Sequence, residues 1–171
     1  MNTNSLYILK SEYYDAIRTI GGNWNDVKDR PVVCLIQSSE NKDLYWAIPM
    51  GNYNHRDSAG KARLDSYINL PKRDIRSCYY HIGRTTVKSI FFISRAIPVT
   101  TKYIEKEYFG FDNLPYSISN PKLVEALTYK LNRILKYEYN KPNYFNQHIT
   151  DMKNFLIQEL NNTTSKSLQT V

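Results

Sequence analysis

The sequence predicts an α+β protein in which several short strands curl into a small barrel, with helices packed on one side. Three observations carry that expectation. From Val32 to Ser94 strand-like apolar runs succeed one another without intervening helices, which disfavours a parallel α/β sheet. The last third carries two helical stripes, and no linker-like stretch separates the two parts. At 171 residues, 42% hydrophobic and 23% charged, the chain can bury one core and is too apolar for wholesale disorder.

Each element has a local reason. Leu6-Tyr-Ile-Leu9 reads as an opening strand. Ser11 to Ile20 reads as a helix with Tyr14, Ile17 and Arg18 on one side, stopped by Gly21-Gly22-Asn23. After Arg30-Pro31, the run Val32-Val-Cys-Leu-Ile36 has the β-branched content of a buried strand. Asn41-Lys-Asp43 turns the chain, and Leu44-Tyr-Trp-Ala-Ile-Pro-Met50 returns as the hairpin partner. A polar loop is expected from Gly51 to Gly60. Ser66–Leu70 and Cys78–Ile82 read as short strands on either side of a charged turn with Lys72, Arg73, Asp74 and Arg76. Ser89–Ser94 is the most apolar strand candidate, and Pro98 marks its end region.

Helices dominate beyond that point. Thr101 is read as the cap of a short helix to Tyr108, ended by Gly110. Asn120 caps a long helix with Pro121 at its first position and Leu123, Val124, Leu127, Leu131, Ile134 and Leu135 as its stripe. Pro142 is expected to open the last helix, striped by Phe145, Ile149, Met152, Phe155, Leu156 and Leu160. Residues 1–160 form one domain in this reading, and 161–171 form a polar, disordered tail.

Composition narrows the chemistry. The net charge of +7 and pI near 9.3 favour encounter with polyanions, although a basic balance also serves solubility. Fifteen tyrosines offer faces on which unpaired bases stack, or half-buried strand positions. The opening residues lack a signal peptide pattern and no run is long enough to span a membrane. Cys34 and Cys78 both lie in apolar runs and read as reduced core thiols, so a cytoplasmic location is expected. Nucleotide-binding glycine loops, zinc spacings and Gly-x-Ser-x-Gly elbows are absent from the sequence. Asp57 and Asp65 are isolated acids in a basic neighbourhood, so neither metal nor other cofactor is expected.

Two segments carry candidate chemistry. Asn54, His55, Arg56, Asp57, Ser58 and Lys61 gather an imidazole, a guanidinium, a hydroxyl and an ammonium. Metal-free RNA cleavage needs such groups to take the 2′-hydroxyl proton, hold the phosphorane charge and protonate the departing 5′ oxygen. A solvated polar loop is the plainer alternative. His81-Ile-Gly83-Arg84-Thr85-Thr86-Val-Lys88 is either a phosphate-binding turn or an ordinary hairpin turn. Lys130, Arg133 and Lys136 form a spaced stripe that either tracks an RNA backbone or is simply the wet face of the long helix. His148 is read as a partly buried structural histidine, and Trp24 and Trp46 as core or rim residues, with Trp24 also able to stack a base.

Pro31-Val-Val-Cys-Leu-Ile36 and Leu44-Tyr-Trp-Ala-Ile-Pro-Met50 with its polar loop resemble the start of type III toxin–antitoxin toxins of the ToxN/AbiQ kind. Ser89-Ile-Phe-Phe-Ile-Ser94, Ile97-Pro-Val99 and the later Leu127-Thr-Tyr-Lys-Leu131 resemble their C-terminal half. The resemblance implies a compact antiparallel SH3-like, Kid/MazF-like β-barrel with C-terminal helices packed against it. It implies a phage-defence endoribonuclease that cleaves RNA without metal. It further implies inhibition by a small repeated RNA antitoxin in a higher-order toxin–RNA assembly. Ser58 and Lys61 would then be the hydroxyl and the cation of the loop after the Pro49 strand. In the toxins these groups follow that strand almost at once, whereas here Asn52 to Asp57 intervene and His55 adds a better general base.

The expected catalytic residues are therefore His55, Ser58 and Lys61, with Arg56, His81, Arg84, Thr85, Thr86, Lys88, Lys130 and Arg133 binding phosphate or RNA. The rival readings are a non-catalytic basic nucleic-acid-binding module and a scaffold protein whose basicity is incidental.

Overall fold

The consecutive apolar residues of Val32–Leu35 are explained by a strand covered on both faces. The computed structural model describes residues 1–24, 30–110 and 113–168, with side chains to residue 162. In chain order the elements are β1 (Leu6–Leu9), α1 (Ser11–Thr19), β2 (Val32–Gln37), β3 (Leu44–Asn52), α2 (Ser58–Ile68), β4 (Tyr80–Arg84), β5 (Lys88–Phe92), β6 (Ile97–Thr100), β7 (Ile104–Glu107), α3 (Pro121–Asn140) and α4 (Ile149–Leu168). Short 3₁₀ turns occupy Tyr53–His55, Ile75–Cys78, Ile93–Arg95 and Thr101–Tyr103.

The seven strands form one antiparallel sheet in the order β4-β5-β3-β2-β1-β7, with β6 also paired to β3. β3 is the hub. One edge pairs with β2 along Tyr45–Pro49, while its other edge takes β6 along Leu44–Ala47 and β5 along Met50–Asn52. The path runs open from β4 to β7, and among the described residues no pair closes it into a barrel. Pro98 lies inside β6 rather than ending a strand. It is tolerated there because β6 pairs on one side only, and its carbonyl accepts a hydrogen bond from the buried Tyr13 hydroxyl.

Helices cover both faces, not one. Val33, Leu35, Trp46, Ile48 and Phe91 meet Leu123, Leu127, Leu131 and Ile134 of α3. Val32, Cys34, Ala47 and Val99 meet Tyr13, Tyr14 and Ile17 of α1 and Met152 and Leu156 of α4. Strand side chains alternate between faces, so a strand apolar at every position needs a cover on each side. Leu127, Leu131 and Ile134 are fully buried, each contributing roughly 2 kcal/mol of apolar transfer. Cys34 and Cys78 are buried free thiols, and burial pushes the Cys34 thiol up to about 12.

Five further expectations need correction. Ser66–Leu70 is not a strand, because α2 runs to Ile68. Asp57 starts this helix by accepting from the Gly60 N–H at 2.7 Å, and Ala59 to Leu64 are mostly good helix formers. The helix expected after Thr101 is a 3₁₀ turn followed by β7, whose residues complete the outer edge of β1 in the pairs Tyr7–Glu107, Ile8–Lys106 and Leu9–Ile104. The segment expected as strand from Cys78 begins only at Tyr80, since Cys78 closes a 3₁₀ turn.

The last helix begins at Ile149, not Pro142, because Asn143 and His148 hold left-handed backbone (φ 57° and 50°). Glu138 of α3 holds this junction. Its buried carboxylate accepts from Asn143 N at 2.6 Å, Thr150 N at 3.2 Å and Thr150 Oγ1 at 2.7 Å. α4 then continues to Leu168, through most of the segment expected as a disordered tail. Residues 169–171 lie outside the described residues. Among the described residues no helix is long and apolar enough to cross a membrane.

Candidate active site

Sheet register brings the two candidate segments together. Asn52 ends β3 opposite Ser89 of β5, and Ser89 in turn sits opposite Gly83 of β4. The turn after β3 therefore emerges beside the tip of the β4–β5 hairpin. On the first segment, Asn52 Oδ1 accepts from Asn54 N at 2.8 Å, which folds Tyr53–His55 into its 3₁₀ turn and delivers Arg56 to the α2 cap. On the second, Arg84 pairs with Lys88 across a three-residue loop. Thr85 N donates to the Val87 carbonyl at 2.9 Å, and the Thr85 and Ser89 hydroxyls lie 2.8 Å apart. The hairpin reading thus matches the backbone, and hydrogen bonds within the tip tie Thr85 to Val87 and Ser89.

Between them lies a cleft of about 390 Å³ lined by His55, Arg56, Thr85 and Thr86, together with Asn52, Arg30, Tyr108 and Tyr116. Arg30 and Arg56 in its lining, and Lys61 and Lys88 outside it, are paired over aromatic rings. The Arg30 and Arg56 guanidiniums lie 5.1 and 5.5 Å from the Phe92 ring centroid. The Lys61 and Lys88 ammoniums lie 5.3 and 4.0 Å from the Tyr53 ring centroid. Among the described residues none of these four forms an ion pair with a carboxylate. Burial lowers the pKa of Arg30, and the nearby charges of Arg56 and Arg95 lower it further. Like charges gathered without a carboxylate repel one another, and a bound anion relieves that repulsion.

The remaining expected residues scatter. Ser58 is exposed on the first turn of α2 and does not line the cleft, and Arg84 is exposed at the end of β4. His81 faces the other way, opposite Phe91 and toward α3. Burial, then the charge of Lys130, pushes its imidazole down to about 4, so at neutral pH it carries no charge for a phosphate. Gly83 does permit a close approach, but to Leu123 of α3, where an added Cβ would come within 2.6 Å of a methyl. The stripe on α3 is not a free RNA track. Lys130 Nζ donates to the Ser77 and Tyr80 carbonyls at 3.1 and 2.7 Å, and Arg133 donates to the carbonyls of Lys72 and Arg73.

Arg30, Tyr108 and Tyr116 were not anticipated. Arg30 precedes Pro31, whose carbonyl accepts from Met50 N at 2.9 Å, so the β2–β3 register carries it to the cleft end of β3. The basic residue directly before a buried strand was the available signal. Trp24 stacks on Tyr14 at 5.7 Å, which occupies one of its faces. His148 Nδ1 is buried without a hydrogen bond, 3.7 Å from Asp151 Oδ2. Among the described residues no three His, Cys, Asp or Glu side chains come together in a metal-holding group.

Chemically, the cleft offers an exposed imidazole beside two guanidiniums and a hydroxyl-bearing tip. That set can bind a phosphodiester and move a proton next to it. No protein-family model matches the chain, and no match to a curated protein was found.

Proposed function

We propose that the protein is a metal-independent endoribonuclease toxin that cleaves RNA by 2′-hydroxyl transesterification. One observation carries this reading: the β3–β5 register sets His55 and Arg56 across one cleft from Thr85 and Thr86, with Arg30 and Arg56 lacking carboxylate partners among the described residues. His55 takes the 2′-hydroxyl proton. The 2′ oxygen then bonds to phosphorus and the bond from phosphorus to the 5′ oxygen breaks. Arg30 and Arg56 hold the charge of the phosphorane, and the leaving 5′ oxygen collects a proton from His55 or Lys61. The products are a 2′,3′-cyclic phosphate and a 5′-hydroxyl. Ser58 drops out of the reacting group, while Lys88 and Arg84 guide the strand from outside the cleft.

The type III toxin resemblance supplies the biological setting of this proposal. A cytoplasmic toxin of this kind would be held inactive by a small repeated RNA, and short tandem repeats directly upstream of the gene would encode it. The sharing of one edge of β3 between β5 and β6 supports kinship with the SH3-like or Kid/MazF-like barrel, opened here between β4 and β7.

The decisive assay incubates the protein with labelled RNA in excess EDTA. Cleavage is expected, together with complete resistance of the same strand bearing a single 2′-deoxy substitution at the cut site. Loss of cleavage in chelator, or equal cleavage of DNA, would overturn the mechanism. The paired lysines on Tyr53 favour one rival, a binding module that stacks a base and docks its phosphate without reaction. That rival gives tight, salt-dependent RNA binding and no product.

A further inference from the structure

A second cavity, of about 570 Å³, lies beyond Phe92 from the cleft. Its walls include Tyr67, Tyr79, Tyr80 and Tyr144, with Arg63 and Arg95 beside them. Three of these rings form an ordered corner. Tyr67 and Tyr79 are stacked with centroids 5.7 Å apart, and Tyr80 meets Tyr67 edge-on at 5.4 Å. All three are only half-buried, so ring surface remains open to the cavity. Gln147, almost fully buried, stiffens another wall by donating to the Ser94 and Ala96 carbonyls at 2.9 and 3.0 Å.

The cations here repeat the pattern of the cleft. Arg63 and Arg95 are exposed, and among the described residues neither pairs with a carboxylate. Half-open aromatic faces beside guanidiniums without a carboxylate partner among the described residues match one chemical class: a nucleotide, whose base stacks while its phosphate meets the charge. The volume suits a single nucleotide.

Side-chain contacts through the buried Phe92 ring link a wall of the cavity to a wall of the cleft. Arg30 and Arg56 lie over Phe92 on the cleft side, and Tyr80 touches the same ring edge-on at 6.1 Å on the cavity side. Arg95 is near enough to Arg30 to act on its charge. An unbroken line of rings and guanidiniums therefore runs from one depression to the other.

We propose that this tyrosine-walled cavity is a second subsite, which captures an unpaired base of the RNA strand whose scissile phosphate lies in the cleft. The choice of a strand over a free nucleotide rests on the function proposed above; the cavity's fitness for a nucleotide does not.

The test measures fluorescence anisotropy of a labelled single-stranded decanucleotide and a labelled trinucleotide, both 2′-deoxy at every position to prevent cleavage, with AMP and UMP as competitors. Arg95→Ala and Arg63→Ala should each weaken the decanucleotide about fivefold to tenfold and change the trinucleotide less than twofold. Tyr67→Leu, which keeps apolar bulk but removes the stacking face, should weaken the decanucleotide about tenfold, whereas Tyr67→Phe should retain wild-type affinity. Should Tyr67→Leu fail to fold, the exposed arginine variants still decide. Equal losses for both oligonucleotides, or no loss for either, would overturn the subsite. AMP or UMP binding that is abolished by Arg95→Ala while the decanucleotide is unaffected would also overturn it, in favour of a free-nucleotide site. Selective loss on the decanucleotide by a protein that never cleaves RNA would sustain the subsite and reject the catalytic proposal.

Discussion

Two groups of cations on this molecule meet opposite surroundings. In the cleft Arg30 and Arg56 share the face of Phe92, and outside its lining Lys61 and Lys88 share that of Tyr53, with no carboxylate partner among the described residues. On α3, Lys130 and Arg133 reach back across the 72–80 segment and satisfy main-chain carbonyls. The first group crowds like charge where a polyanion fits. The second fastens a helix to the connection beneath it. A basic residue thus serves binding or folding according to what already occupies its donors, and mutation should separate the two roles.

The largest expected effect tests the reactive end of the comparison. His55→Ala should slow RNA cleavage by about 10²- to 10⁴-fold in single-turnover assays, the range for loss of a general acid–base group. His55 is exposed, so the melting temperature should stay within a degree or two of wild type. A variant that cleaves normally removes the imidazole from the mechanism.

Lys130→Ala should do the reverse. It leaves two carbonyls without their charged donor and should cost about 2 kcal/mol in urea denaturation, with RNA affinity unchanged. A matching loss of RNA affinity without loss of stability would erase the distinction between the two groups.

The same buried corner predicts a pH response. The His81 imidazole is held near 4 in the folded protein against an ordinary value of 6.5, so between those limits the unfolded chain binds more protons. Stability should therefore fall as pH drops from about 6.5 to 4, by roughly 2 kcal/mol once partial exposure is discounted. His81→Gln should flatten that part of the profile, measured by denaturation at a series of pH values.

The smallest effect belongs to single arginines of the cleft. Arg30→Ala should weaken single-stranded RNA binding about tenfold and reduce the salt slope of log K by about 0.7. Stability should be unchanged or slightly raised, because one member of a repelling pair is gone.

Elements whose sequence signals are local were legible before the fold was known. α3 declares itself through Asn120, Pro121 and a continuous stripe, and Asn120 Oδ1 does accept from Lys122 N and Leu123 N. The β2–β3 hairpin follows from two apolar runs around Asn41–Asp43. β7 was not legible, because Ile104–Glu107 becomes a strand only through the free edge of β1. Nor was the start of α4, where Glu138 on another helix holds the junction. The candidate site divides the same way. His55 with Arg56, and Thr85 with Thr86, stand out as clusters of reactive types. Arg30 does not, since it reaches the cleft through strand register alone.

By itself the sequence determined the positive charge, the α+β character, the helical stripes and the segments rich in reactive side chains. These are properties of composition and of spacing over a few residues. The tertiary structure alone decided that helices cover both faces of the sheet, that two distant turns share one cleft, and which cations meet main-chain acceptors. The reason is that pairing register and helix docking bring together groups far apart in the chain. A lysine's partner is set by that geometry and not by its neighbours in sequence.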